Sequence, residues 1–344
     1  MEDIRKNGHI LSDSIQHVTP AAVKNAGLFP AYSIIVATTA TIGEHALIIV
    51  DSLANQQFTF LTKRKSFDNK LDMMYFHYFM FIIDEWCKRN TNAGGLLSVN
   101  MDSFKKLTIP YPSSLSEQKK IADCFVSIDK EIDATKRKLE LLKEHKKGLM
   151  QRLFPAKGKT TPEIRFPEFQ NDGEWRPRPL SDILNYEQPT PYISEDDTYK
   201  KEGTPVLTAN KGFILGYTDE SFGIYNKLPV IIFDDFTTDK KYVDFPFKIK
   251  SSAIKLLTLK YEERDNLRFI FECMNKVLFE EKEHKRYYTS TYQHINIYVP
   301  SLQEQNKIAD TLLFVDKQIS EYDKKIKALE LHKKCLMQQL FPKL

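Results

Sequence analysis

A short stretch rich in cations, hydroxyls and aromatic rings lies near the end of the sequence, at residues 285–293 (KRYYTSTYQ). Cationic and hydroxyl side chains bind phosphate oxygens, and Arg, Gln, Ser and Thr also hydrogen-bond to the edges of bases. The stretch therefore provides candidates for contact with a nucleic acid, and the plainer alternative is a solvated loop beside a helix end. These candidates are Lys285, Arg286, Tyr287, Tyr288, Thr289, Ser290 and Gln293.

Polar residues of the same types occupy other predicted turns and strand ends, where binding residues are often found. In the second half of the chain they are Thr237, Thr238, Lys240, Lys241, Asn210 and Lys211. In the first half they are Thr38, Thr39, Thr41, Lys88 and Arg89. The alternative for these residues is an ordinary hairpin tip, a threonine-rich strand or a basic surface turn.

Motifs for catalysis and for metal binding are absent from the sequence. It contains no GxxxxGK[ST], GxGxxG or HExxH pattern, and its four cysteines are far apart with no CxxC spacing. The pair Asp234–Asp235, close to Lys240 and Lys241, resembles a minimal nuclease site, but such a grouping is common by chance. We therefore predict no catalytic residue, no metal site and no cofactor bound by this chain.

Composition limits the class of protein. Hydrophobic residues make up 42% and charged residues 28% of 344 residues, which is ordinary for packed domains and excludes a disordered chain. The net charge of +4 does not favour binding through bulk positive charge. The longest apolar run, residues 73–83, is too short for a bilayer that requires ~20 residues, and the polar opening predicts no secretory signal. We expect a cytoplasmic protein with no membrane partner.

The chain contains an internal repeat. Residues 115–155 align without a gap with residues 302–342, at a constant offset of 187 and with 21 identities over 41 positions. Each copy carries a heptad-like apolar pattern, which predicts a long helix, and Lys146 and Lys333 interrupt the pattern at equivalent places. Two helices with matching apolar seams predict an antiparallel coiled coil with a globular unit at each end, although each helix could instead pack on its own unit.

The regions around the two helices predict an α+β protein. Each half contains strand-like runs and one apolar helix, predicted at residues 71–89 in the first half and 266–281 in the second. A strand-like stretch also precedes each long helix: LTIPYP (107–112) and INIYVP (295–300). The first half lacks a counterpart of the opening Trp175 and Leu180, so we expect its front to be shortened. The predicted segments are a first domain (1–112), helix 1 (113–155), a linker (156–171), a second domain (172–300) and helix 2 (301–344).

The repeated runs LSEQKKIAD (115–123) and LQEQNKIAD (302–310), with the endings KGLMQRLFP and KCLMQQLFP, resemble the specificity subunit of type I restriction–modification systems. The opening GEWRPRPLSDI (173–183) is similar to the start of a target-recognition domain in that family. The resemblance covers roughly residues 29–344. It implies two mixed α/β target-recognition domains, each followed by a long helix, with the helices paired as an antiparallel coiled coil.

The resemblance also implies partners. Double-stranded DNA would be read as a bipartite target, and methyltransferase (M) and motor–nuclease (R) subunits would dock on this chain. S-adenosylmethionine, ATP and Mg²⁺ would belong to those subunits. Residues that recur at both helix starts are candidates for binding the methyltransferase, and the alternative is stabilisation of the helix N-terminus by negative charge. They are Glu117, Gln118, Glu304 and Gln305.

Three alternatives to a two-domain DNA reader remain open at this point. One is a coiled-coil scaffold with protein partners and no role on DNA. The second is a stand-alone nuclease that uses Asp234 and Asp235. The third is a truncated specificity cassette in which only one recognition domain works.

Overall fold

The computed structural model describes residues 2–23, 27–39, 41–54, 58–91, 98–195, 198–209, 212–277, 279 and 286–344. The chain divides into two compact units. Unit 1 comprises Met1–Lys138 and Tyr322–Leu344, and unit 2 comprises Leu139–Glu321. Both units are mixed α and β, as the sequence predicts.

Unit 1 packs one long apolar helix on a small sheet. Its elements are α1 (Glu2–Asn7), β1 (Ile10–Leu11), α2 (Pro20–Val23), β2 (Ser33–Ala37), β3 (His45–Ile48), β4 (Phe58–Leu61), α3 (Met73–Arg89), α4 (Met101–Lys105) and the first part of α5 (Leu115–Arg152). The sheet order is β1-β3-β2-β4, in which β1 runs parallel to β3 and the other pairs are antiparallel. Asp72 caps α3 because its carboxylate accepts the N–H groups of Met74 and Tyr75. The apolar side chains of α3, such as Tyr78 and Phe79, are fully buried in the core of the unit.

Unit 2 contains most of the strands. Its elements after α5 are β5 (Arg176–Pro179), α6 (Leu180–Ile183), β6 (Leu184–Glu187), β7 (Thr204–Leu207), β8 (Ile214–Thr218), β9 (Val230–Asp234), β10 (Lys240–Val243), β11 (Lys248–Ile249), β12 (Ile254–Leu259), α7 (Leu267–Lys276), β13 (Asn296–Val299) and α8 (Leu302–Leu340), whose last part belongs to unit 1. The main sheet, β10-β9-β12-β6, is antiparallel throughout. Trp175, Phe154 and Phe269 lie together in the core that this sheet shares with α7.

The two long helices predicted from the repeat are confirmed as α5 and α8. In unit 1 they run antiparallel, as two ion pairs show. Nζ of Lys333 lies 2.6 Å from Oδ1 of Asp129, and Nζ of Lys136 lies 2.7 Å from Oε1 of Glu330. In unit 2 Lys146 lies 2.6 Å from Asp316. The lysines that interrupt the apolar pattern thus form charged pairs between the helices. The coiled-coil geometry itself stays a prediction.

One strand prediction was wrong. The stretch LTIPYP (107–112) forms no strand, because Pro110 and Pro112 have no N–H group to donate to a neighbouring strand. In unit 2, Pro246 likewise lies outside the strands, between β10 and β11. The helix predicted over 266–281 is observed over Leu267–Lys276.

Candidate nucleic-acid interface

The hairpin between β9 and β10 is one of the predicted binding segments in unit 2. Asp234, the last residue of β9, accepts the N–H groups of Phe236 and Thr237 with its Oδ1, at 2.9 and 3.0 Å. This local bond closes the turn. Thr238 follows with a positive φ of 52° and is buried, whereas Thr237 is exposed. Of the two predicted threonines, only Thr237 lies on the surface.

Asp235 joins this hairpin to the segment after α7. Its backbone oxygen accepts the N–H of Tyr287 at 2.8 Å, and its Oδ1 accepts the N–H of Tyr288 at 2.7 Å. The carboxylate is fully buried. The structure therefore brings together two groups of candidates that are distant from each other along the chain.

A buried lysine also takes part in this contact between the hairpin and the segment after α7. Lys255 lies on β12 with its Nζ 3.5 Å from Oδ2 of Asp235, and the two side chains are 2% and 0% exposed. The ammonium group donates to Oε1 of Gln188 at 2.9 Å and lies 5.9 Å from the centre of the Tyr186 ring. Sequence reasoning missed Lys255, although a lysine inside the apolar run IKLLTL was a visible signal.

The nuclease alternative has no support in this geometry. The carboxylates of Asp234 and Asp235 are engaged by backbone N–H groups and by Lys255, so they are structural. In the described parts of the chain, no group of three or more His, Cys, Asp or Glu side chains is arranged to hold a metal ion.

The two tyrosines predicted to touch nucleic acid are core residues. Tyr287 and Tyr288 are almost completely buried, and the Tyr288 ring packs edge-on against Phe233 and Tyr186. Burial raises the pKa of the Tyr288 hydroxyl, which stays protonated. The backbone bonds to Asp235 hold both residues in the core, and their contact with nucleic acid stays a prediction.

Four of the predicted residues remain exposed on the two joined segments, and we call them the turn surface. They are Thr237, Arg286, Thr289 and Ser290. The Ser290 hydroxyl donates to the backbone oxygen of Arg286 at 2.8 Å, which tightens the second segment. Tyr186, which packs against Tyr288 beneath this segment, is 44% exposed. One cation, three hydroxyls and a nearby aromatic ring can bind phosphate and reach base edges.

Two other predicted residues of this region, Gln293 and Lys240, bond to the backbone of the turn surface segments. Gln293 is half-buried and donates to the backbone oxygen of Thr289 at 2.6 Å. Lys240 donates to the backbone oxygen of Thr238 at 3.3 Å, and burial lowers its pKa. Lys241 is half-buried on β10. Lys285, Asn210 and Lys211 lie outside the described residues.

In unit 1 the predicted threonines lie just after the end of β2. Thr38, Thr39 and Thr41 are half-buried. The backbone oxygen of Thr38 accepts the N–H of Val99 at 3.0 Å, Thr39 forms a β-bridge with Ser98, and the backbone oxygen of Thr41 accepts the N–H of Glu44 at 3.2 Å. These contacts are those of a strand end.

The two basic residues at the end of α3 have different partners. Lys88 lies 3.1 Å from Asp84 and 3.2 Å from Glu85, and Arg89 donates to the backbone oxygen of Glu85 at 3.2 Å. Both basic side chains are exposed. The acidic partners of Lys88 therefore weaken its attraction for an anion.

The repeated glutamines at the helix starts are fully buried, and each bonds to the backbone of neighbouring segments. Oε1 of Gln118 accepts the N–H of Asp72, the cap of α3, at 2.8 Å, and its Nε2 donates to backbone oxygens of Lys70 and Pro112 at 2.8 and 2.7 Å. Gln305 repeats the pattern in unit 2. Its Oε1 accepts the N–H of Asn266, the cap of α7, at 2.9 Å, and its Nε2 donates to backbone oxygens of Arg264 and Pro300 at 3.2 and 3.1 Å.

The repeated glutamates differ between the copies. Glu304 is 1% exposed and binds the guanidinium of Arg165 through both oxygens, at 2.9 and 2.5 Å. Glu117 is exposed, and its N–H donates to the Ser114 hydroxyl at 3.4 Å. The side chains of Gln118, Glu304 and Gln305 are each buried and bonded within their own unit, and their contact with a partner stays a prediction. Of the four residues, Glu117 alone is accessible to a partner.

No helix in the described ranges is long and apolar enough to cross a membrane. Both long helices carry many charged side chains along their length.

Comparison with known proteins agrees with the duplicated architecture. The family model described as "Type I restriction modification DNA specificity domain" matches residues 4–144 and 172–331. The chain is 47% identical over 122 residues to the type I restriction enzyme EcoprrI specificity subunit of Escherichia coli, covering 36% of this chain and 30% of that protein. It is 48% identical over 132 residues to the EcoR124I/EcoR124II specificity subunit of the same species, covering 37% and 32%.

These matches span about a third of the length of the two Escherichia coli proteins. The fold also resembles the S subunit of a type I restriction–modification system from M. genitalium, with a TM-score of 0.67 and 15% identity, over 98% of this chain and 89% of that one. Since the family model covers most of both halves, each ending in a copy of the same helix, the chain belongs to the type I restriction–modification DNA specificity family.

Proposed function

We propose that this chain is the DNA sequence-specificity subunit of a type I restriction–modification complex. It reads a bipartite DNA target and positions methyltransferase and motor–nuclease subunits, and it is not itself catalytic. The observation that carries the proposal is the pair of family matches, at residues 4–144 and 172–331, one in each half of a duplicated chain. Two DNA-recognition units in one chain suit a target made of two half-sites.

The turn surface of unit 2 supports contact with DNA. Arg286 supplies a cation, and the hydroxyls of Thr237, Thr289 and Ser290 supply donors and acceptors, on segments held by the buried Asp235. A rigid base under exposed polar residues suits recognition, because the side chains lose little freedom on binding. Cofactors of the complex (S-adenosylmethionine, ATP and Mg²⁺) belong to the partner subunits, and the complex works in the cytoplasm.

The test is co-expression with a type I methyltransferase subunit from the same genome, followed by genome-wide mapping of adenine methylation. A new asymmetric gapped motif is the expected result, with one half read by each unit. A palindromic motif would mean that two chains each contribute one unit, as in the truncated-cassette alternative. If no motif appears and no complex forms, the proposal fails and the scaffold alternative takes its place.

Replacing Arg286 by alanine should weaken DNA binding by the methyltransferase complex and lower the salt dependence of that binding. Removal of one cation from a phosphate reduces the slope of log K against log salt by about 1. The measurement is a fluorescence-anisotropy titration at several salt concentrations. Lys88→Ala is the matched control, since Lys88 is also exposed but is balanced by Asp84 and Glu85. Equal slopes for the two variants would remove Arg286 from the interface.

A further inference from the structure

The helices α5 and α8 contact each other through two kinds of charged pair. The first kind occurs in both copies of the repeat. Asp129 pairs with Lys333 in unit 1, and the residues at the offset of 187, Asp316 and Lys146, pair in unit 2, each at 2.6 Å. Because each helix carries both the acid and the lysine, this pair fits any combination of the two helices. It sets the register and does not choose the partner.

The second kind of pair is not repeated. Lys136 of α5 lies 2.7 Å from Glu330 of α8, and both side chains are about half exposed. At the offset of 187, the position of Lys136 is occupied in α8 by Asp323, and the position of Glu330 is occupied in α5 by Lys143. The first copy thus carries two lysines at these positions, and the second copy carries two acids.

A second pair between the helices is also not repeated, and it would be lost if α8 paired with another α8. Glu131 of α5 lies 2.6 Å from Lys325 of α8. The position of Glu131 is occupied in α8 by Gln318, an uncharged residue. A second α8 in the place of α5 would therefore lose this attraction as well.

The charges discriminate between partner helices. If α8 met the α8 of another copy in the same register, Asp323 would face Glu330 twice, by the two-fold symmetry, and Lys325 would face Gln318. Like charges at facing helix positions repel, and natural helix pairs use such repulsion to exclude wrong partners. Only the register pairs between Asp316 and Lys333 would remain.

We propose that the charged surface of α8 selects α5 and rejects the α8 of a second copy of this chain. Two chains paired through their second-half helices are thereby disfavoured. The rejection is weaker for two α5 helices, where Lys136 would face Lys143 but Glu131 would face Lys138.

The test changes the charges on α8 in the full chain so that pairing with a second α8 becomes favourable. In the double variant Gln318→Glu/Glu330→Lys, two α8 helices would gain two attractive pairs on each side of the two-fold axis, and Lys136 would repel residue 330 within the chain. The matched control is Gln318→Glu/Glu330→Gln, which has the first change but no new cation. Sedimentation velocity over a series of concentrations at low salt measures self-association, and circular dichroism verifies that both variants keep their helices.

The lysine variant should associate about tenfold more tightly than its control, because each exchanged pair at exposed helix positions contributes a factor of a few. The difference should vanish near 1 M salt, where the Debye length is about 3 Å. Carbodiimide cross-linking of mixed ¹⁴N- and ¹⁵N-labelled chains should join residue 330 to Asp323 of the other chain. Equal association of the two variants, or an absence of that cross-link in the dimer, would overturn the proposal.

Discussion

Replacing Glu304 by alanine should lower the free energy of unfolding of unit 2 by about 3–5 kcal/mol, because a buried guanidinium would lose its counter-charge. Arg165 and Glu304 are 9% and 1% exposed and form two hydrogen bonds with each other. Nη1 of Arg165 also donates to the backbone oxygens of Asp172 and Gly173, at 2.6 and 3.2 Å. The ion pair therefore ties the segment before β5 to the start of α8. The effect should be visible as faster hydrogen exchange in residues 163–175.

The repeat supplies a control for this substitution. Glu117 occupies the equivalent position in α5 and is exposed, so Glu117→Ala should change stability by no more than about 0.5 kcal/mol. Hydrogen exchange followed by mass spectrometry reports each segment separately, so the unit without the substitution serves as the internal reference: unit 1 for Glu304→Ala and unit 2 for Glu117→Ala. Similar destabilisation by the two variants would contradict the role of the Arg165–Glu304 pair.

Replacing Asp235 by alanine should destabilise unit 2 by a similar amount, about 3–5 kcal/mol. The change would leave the ammonium of Lys255 buried without its ion pair and the N–H of Tyr288 without its acceptor. We expect the turn surface to lose its order, and DNA binding to fall with it. Urea titration of the purified chain, combined with hydrogen exchange over residues 286–294, measures both effects.

The neighbouring acid is the control for Asp235. Asp234→Ala removes only a turn-closing acceptor, and the expected cost is about 1 kcal/mol. Asp235→Asn separates the two parts of the larger effect, because it keeps an acceptor for the Tyr288 N–H and removes the charge facing Lys255. If Asp234→Ala lowered the free energy of unfolding as much as Asp235→Ala, the buried ion pair would not be the main link between the hairpin and the segment after α7.

The parts of the fold that follow from local pattern could be predicted from the sequence. The repeat and its heptad spacing predicted α5 and α8 because helical periodicity is a property of neighbouring residues. The apolar helix α3 was predicted for the same reason. The strand prediction over 107–112 failed because apolar composition was allowed to outweigh two prolines that cannot donate to a sheet.

The candidate site was only partly predictable, because its geometry depends on residues that are distant in the chain. Residue type identified Arg286 and Thr237 correctly as surface residues. The same reasoning placed Tyr288 on the surface, since nothing near it in sequence reveals that Asp235 accepts its N–H. Likewise, Gln118 and Gln305 recur at a fixed offset, which signals a shared role, but only the fold shows that this role is to hold the caps of α3 and α7.

The division of the chain into units also dictates an order of events during synthesis. Unit 2 is continuous, from Leu139 to Glu321, whereas the core of unit 1 includes Met337 of α8 and Phe341, which directly follows that helix. A ribosome therefore releases all of unit 2 before it supplies the residues that close unit 1. Domains usually mature from the N-terminus onward, and here the first unit to emerge is the last to be completed. Until then the aromatic side chains of Tyr75, Phe79 and Phe125, which pack around Phe341, lack that part of their cover and stay exposed to water.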